Sequence, residues 1–174
     1  MPIKLKELDR FLGSGKMHFE RREEGPHLGF IVRLAGHRVG LPTVLRVSHG
    51  SGDAALVNIK GVATALGLNV RELESAEACH LRRECVLLML AARMIQFALD
   101  RRACLRDQAV GTEGVKAMAE SVKMILEVEE LQNITKWKPH ELRALGRVRT
   151  AVEKFARDPL LSDAAKTMLA HFDK

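Results

Sequence analysis

Apolar residues in this chain mix two spacings up to about residue 75 and keep only one beyond it, and that division limits the folds open to it. Before it, stretches of two-residue alternation lie between short stretches of helical spacing; after it, every segment follows the helical period. From His27 to Leu34 the apolar residues Leu28, Phe30, Val32 and Leu34 alternate with their neighbours, the pattern of a strand with one buried face. Met17, Phe19 and Arg21 alternate ahead of it. Ala35-Gly36 is placed to turn the chain into a third strand, His37 to Val47, in which Pro42 lacks a ladder donor and predicts an edge position or a bulge. Leu5, Leu8, Phe11 and Leu12 predict a short first helix that ends at the breaker Gly13-Ser14-Gly15. Leu56, Ile59, Val62, Ala63 and Leu66 predict another that stops at Gly67, a residue suited to a left-handed cap. The expected order over residues 1–75 is therefore α-β-β-β-α.

Residues 76–174 read as a helical bundle, which makes the expected fold class α+β with two domains, 1–75 and 76–174. A long apolar helix runs from near Leu81 to about Asp107, with a break expected at Gly111-Thr112-Glu113-Gly114. Val115, Met118, Val122 and Ile125 fall on one stripe, and Leu142, Leu145, Val148 and Val152 do the same after Pro139. Asp158-Pro159 ends that helix, and Ser162-Asp163 can start a last one reaching Phe172. The run Val86-Leu87-Leu88-Met89-Leu90 leaves the long helix apolar on nearly every side, so it must be enclosed, by the sheet, by the later helices or by a second copy in a homodimer. Its apolar stretch, Cys85 to Leu99, carries Arg93 and Gln96 and falls short of the roughly 20 apolar residues a bilayer span needs, so no membrane is expected. Trp137, between Lys136 and Lys138, is a candidate for partner contact from an exposed loop or for a staple at a helix start.

Charge permits a polyanionic partner without requiring one. The 28 Lys and Arg against 22 Asp and Glu give +6, and each half carries +3. Six Phe, one Trp and no Tyr disfavour a platform that stacks single-stranded bases, but duplex nucleic acid is read mainly through shape and phosphates. Three cysteines, Cys79, Cys85 and Cys104, form no C-x-x-C pair, which argues against a disulfide framework and a structural zinc site and for a reducing cytoplasm. The sequence Met1-Pro2-Ile3-Lys4-Leu5-Lys6-Glu7 lacks the apolar region of a secretory signal. Gly13-Ser14-Gly15-Lys16 and Gly50-Ser51-Gly52 fall short of the full phosphate-loop fingerprints and read as turns. No Gly-x-Ser-x-Gly or His-Glu-x-x-His motif occurs, and neither a metal nor a cofactor is expected.

Four histidines, His18, His27, His37 and His49, lie near strands or strand ends. Imidazole, with a pKa near ~6.5, moves protons at neutral pH, and RNA cleavage needs a base for the 2′-hydroxyl and an acid for the leaving oxygen. The same histidines would also sit comfortably in surface turns.

A first helix, then Glu23-Glu24-Gly25-Pro26-His27 leading into an alternating strand, then a strand ending in Ser48-His49-Gly50, then a helix closing at Leu66-Gly67-Leu68 before Val70-Arg71-Glu72-Leu73, resembles the HicA-type toxin family. The resemblance, confined to the N-terminal half, implies a double-stranded-RNA-binding-like fold in which a Gly-Ser-His step carries the catalytic histidine of an mRNA interferase. His27 falls on that histidine and Gly25 on the glycine, whereas Pro26 stands where the family has serine. Ser48-His49-Gly50-Ser51-Gly52 also resembles a variant of the family with a Cys and an Arg-Glu pair after the domain, here Cys79 and Arg83-Glu84.

Two readings follow. In the first, the chain binds RNA and cleaves it without a metal, with His27 as general acid or base, His49 as second proton carrier, and Arg21, Arg22, Arg33, Arg38, Arg46 and Lys60 as phosphate contacts. In the second, the fold is kept as a non-catalytic nucleic-acid-binding or assembly module and the site is degenerate, which Pro26 and the helical half both favour. A protein partner acting as an antitoxin is expected under the first reading, unless the helical half itself shields the site. A helix-mediated scaffold with no affinity for polyanions is a third alternative.

Overall fold

The computed structural model of the chain describes residues 3–34, 36–41, 45–50, 52–78 and 80–174. The expected Pro42 bulge, Ala35 of the expected turn, Ser51 and Cys79 lie outside the described residues. The fold class is α+β: four short antiparallel strands, with helices before and after them. Two compact units divide it, 1–86 and 87–174.

In the first unit, helix α1 (Leu5–Arg10) opens with the Glu7 carboxylate accepting from the Lys4 N–H at 2.8 Å, which satisfies a donor left over at the helix start. Helical winding stops within the expected breaker, at Gly15, but α-helical geometry is given up earlier, after Arg10. The chain winds on as a π-helical turn, Phe11–Gly15, closed by the N–H groups of Lys16 and Met17 on the Phe11 carbonyl at 3.2 and 2.9 Å. Gly15 is needed there, because a β-carbon would lie 2.6 Å from the Arg10 carbonyl oxygen. Lys16 fixes the turn by donating its ammonium to the carbonyls of Ala76 (2.7 Å) and Leu81 (2.5 Å).

Strand β1 (Glu20–Glu24) follows, then β2 (His27–Leu34), β3 (His37–Val39) and β4 (Leu45–Ser48). Strand β1 begins only at Glu20 because His18 sits at φ +55°, a break in extended backbone, although Met17 and Phe19 keep the alternation of buried side chains. β1 pairs one edge of β2 from Glu20↔Ile31 to Glu24↔His27. β3 and β4 pair the other edge end to end, through Leu34↔His37 to Val32↔Val39 and through Phe30↔Leu45 to His27↔Ser48. Leu28, Phe30, Val32 and Leu34 are all buried, and each such side chain contributes about 1.5–3 kcal/mol to folding.

Helix α2 (Leu56–Leu66) packs against β4, and Ile59, Val62, Ala63 and Leu66 form its buried side. Gly67 at φ +74° closes it, with the Leu68 N–H returning to the Ala63 carbonyl at 2.8 Å. Helix α3 (Val70–Glu77) starts on a reciprocal pair of bonds between Asn69 and Glu72. An antiparallel bridge between Lys4 and Asp53 ties the start of the chain to the loop after β4.

Helix α4 (Arg83–Cys104) crosses the division between the units, and every side chain from Cys85 to Ala91 is fully buried. The break expected at residues 111–114 occurs earlier. Asp107 accepts from the Ala109 and Val110 N–H groups and starts α5 (Gln108–Leu126), which runs through both glycines. Gly111 is buried, and a β-carbon there would come within 3.1 Å of the Arg102 side chain. Helices α6 (Glu129–Gln132), α7 (Pro139–Phe155) and α8 (Ser162–Phe172) complete the second unit, with α7 and α5 packed on α8. Trp137 is not in an exposed loop; it is 1% exposed and donates its indole N–H to the His171 carbonyl at 2.5 Å. Among the described residues, no helix is long and apolar enough to cross a membrane.

Candidate nucleic-acid interface

Residues opposite one another in antiparallel strands share a face, so the register of the sheet states what its outer face carries. Since Leu28, Phe30, Val32 and Leu34 point inward, His27, Gly29, Ile31 and Arg33 point outward. Strand β1 adds Glu20, Arg22 and Glu24, β4 adds Arg46 and Ser48, and β3 adds Arg38 opposite Arg33. Four of the six expected cations thus share one surface.

Two carboxylates hold three of those four. Glu20 bonds Arg22 at 2.9 Å and also Arg33, and these two guanidiniums, Arg33 foremost, hold its carboxyl below the usual range. Glu24 bonds Arg46 at 2.8 Å. The Glu24–Arg46 pair spans three strands, and Gly29 makes room for it: a β-carbon at Gly29 would lie 2.6 Å from the Glu24 carboxyl carbon. Each pair is solvent-exposed and screened by water, so it adds little to stability and opens at little cost. Arg38 makes no ion pair among the described residues. A depression of about 210 Å³ opens where β3 and β4 part, rimmed by Arg22, Glu24, Arg38 and Arg46, with Ile31 among its apolar lining.

The other two expected cations lie elsewhere. Arg21 has the opposite parity from Arg22 and pairs with Asp9 of α1 at 3.2 Å. Lys60 is exposed on α2.

The hairpin end of the sheet gathers His27, Ser48 and His49. His27, half-buried, opens β2 opposite both Glu24 and Ser48, and the exposed His49 is the next residue. The His49 N–H donates to the Pro26 carbonyl at 3.4 Å. Pro26 is the second of two turn residues, after Gly25 at φ +61°, where no ladder donor is needed, so proline costs the sheet no hydrogen bond. Asn58 of α2 donates its side-chain amide to the Ser48 hydroxyl at 3.2 Å. That side chain was not identifiable from sequence, because its link to the site depends on how α2 packs on β4. His37 and His18 sit at the far end of the sheet.

His80 is exposed and Cys85 fully buried. Among the described residues no three His, Cys, Asp or Glu side chains gather as metal ligands. Comparison of the chain with protein-family models, with curated proteins and with solved structures finds no match.

Proposed function

We propose that residues 1–86 form a HicA-like, double-stranded-RNA-binding-like module that contacts RNA on its outer sheet face and cleaves it at the hairpin end. The observation that carries this reading is the register that sets His27 opposite Ser48, with His49 next in the chain. Two imidazoles at one strand end can supply both proton transfers of phosphodiester cleavage. One takes the proton of a 2′-hydroxyl as that oxygen attacks the adjacent phosphorus, and the other protonates the departing 5′-oxygen. The products are a 2′,3′-cyclic phosphate and a 5′-hydroxyl end. Arg22, Arg38 and Arg46, around the depression on the same face, serve as phosphate contacts.

A second reading, a module that binds RNA without cutting it, is favoured by Glu20 and Glu24, which offset much of the positive charge of that face. Incubation of labelled duplex RNA with the purified full chain separates the two. Cyclic-phosphate products that persist in chelator and disappear with His27→Ala support cleavage. Cleavage by His27→Ala at the unmodified rate removes His27 from the mechanism, and salt-dependent binding with intact RNA selects the second reading.

A further inference from the structure

The far end of the same sheet has a feature that the cleavage reading does not use. A groove of about 590 Å³ lies between α1 with its π-helical turn on one side and the approach to β1 on the other. Lys6, Arg10 and Ser14 follow one another at four-residue steps along the helix and its π turn, while His18 and Arg21 line the strand side. Asp9 is the one carboxylate lining the groove among the described residues, and it is committed to Arg21 at 3.2 Å.

The groove differs in kind from the outer sheet face. Three of the four arginines on the sheet face have acidic partners close by, whereas Lys6 and Arg10 make no ion pair among the described residues. Ser14 and His18 make no side-chain hydrogen bond among the described residues either. With Lys6, Arg10 and Arg21 against Asp9, the groove carries a net +2 before any charge on His18. That charge matches a phosphate dianion better than the single charge of a backbone diester, and the volume accommodates a mononucleotide. His18 is the one non-glycine residue with positive φ among the described residues, and this backbone state is held beside the groove.

We propose that this groove is a binding site for a phosphomonoester, with Arg10 and Lys6 as its main charge contacts, and Ser14 and His18 as hydrogen-bond partners. The ligand is either a free mononucleotide or the 5′-phosphorylated end of an RNA strand. The site does not depend on His27.

Calorimetric titration of the full chain tests it, with a nucleoside 5′-monophosphate and the matching unphosphorylated nucleoside as probes. The monophosphate binds and the nucleoside does not; Arg10→Gln or Lys6→Gln weakens binding about tenfold, the scale of one charge-assisted hydrogen bond. His27→Ala leaves it unchanged, and unfolding midpoints equal to that of the unmodified chain show that the groove variants fold. A second arm compares one RNA with a 5′-phosphate and with a 5′-hydroxyl: preference for the phosphorylated strand assigns the site to RNA ends, and equal binding of the two beside a bound monophosphate assigns it to the free nucleotide. Absence of monophosphate binding, or binding indifferent to both groove substitutions, overturns the proposal. Because the readout is binding of a monophosphate and not cleavage, and His27→Ala leaves it unchanged, loss of cleavage and loss of this site are told apart.

Discussion

The outer sheet face of the first unit and the interior of the helical unit both contain polar pairs, but the pairs are held in opposite ways. On the sheet, Glu20 and Glu24 meet their arginines in water, across strands that would pair without them. In the helical unit, Trp137 donates to a carbonyl in the packed interior, and Arg102 bonds a mostly buried Asp158. Burial pushes the Asp158 carboxyl up, but the Arg102 guanidinium and the N–H groups of Leu160 and Leu161 outweigh it and hold it low. An exposed pair can open to admit a ligand at little cost, whereas a buried donor stripped of its acceptor loses a full desolvation penalty. The first kind suits a binding surface, and the second specifies packing.

The largest expected effect tests the buried side of this contrast. Trp137→Ala removes a side chain that is 1% exposed together with its bond to His171, and lowers the stability of the helical unit by about 3–5 kcal/mol in denaturant unfolding. An effect no larger than that of a surface substitution would show that the interior is not held as described.

Acid is the next probe. The His171 imidazole is buried and its Nδ1 has no hydrogen-bond partner among the described residues, and burial, with Lys174 adding to it, lowers its pKa. Its folded value therefore lies below the unfolded ~6.5, and the unfolded chain takes up the proton first. The contribution is intact above the unfolded value. It is lost as pH falls below ~6.5, by up to about 1.4 kcal/mol per pH unit, until the folded value is reached. His171→Phe removes that slope, and an unfolding series from pH 8 to pH 5, with a range set by ~6.5, measures it.

The smallest effect belongs to the sheet. Glu24→Gln frees Arg46 and raises affinity for duplex RNA a few-fold with a steeper salt dependence, while stability changes by less than about 0.5 kcal/mol. Unchanged affinity in a salt-series binding assay would mean that the face does not meet phosphates.

Features set by neighbours a few residues apart were legible in the sequence: the His27–Leu34 strand and the Gly67 cap follow from local spacing, but the single third strand expected over 37–47 is two strands, β3 and β4, because each pairs a different stretch of β2. Glycine was a partly misleading signal. At residues 13–15 it marks a π turn held by Lys16 from carbonyls 60 and 65 positions away, and at residue 111 it marks the close approach of Arg102. Of the two readings of Trp137, burial removes the exposed loop and leaves the helix start, and its acceptor, 34 residues downstream, was not legible for a similar reason. Of the candidate site, the position of His27 at the start of an alternating strand was legible, whereas the nearness of His49, which follows β4, depends on the pairing of β4 with β2. The neutralising role of Glu20 and Glu24 was not legible, because it depends on which residues register opposite Gly29 and Ile31.

The Lys16 clamp bears on how this chain can be cut. Its acceptors at Ala76 and Leu81 lie beyond residue 75, the domain boundary expected from sequence, so a fragment trimmed there would discard both. Anyone isolating the sheet as an autonomous piece should carry the chain through Val86, where the first compact unit ends.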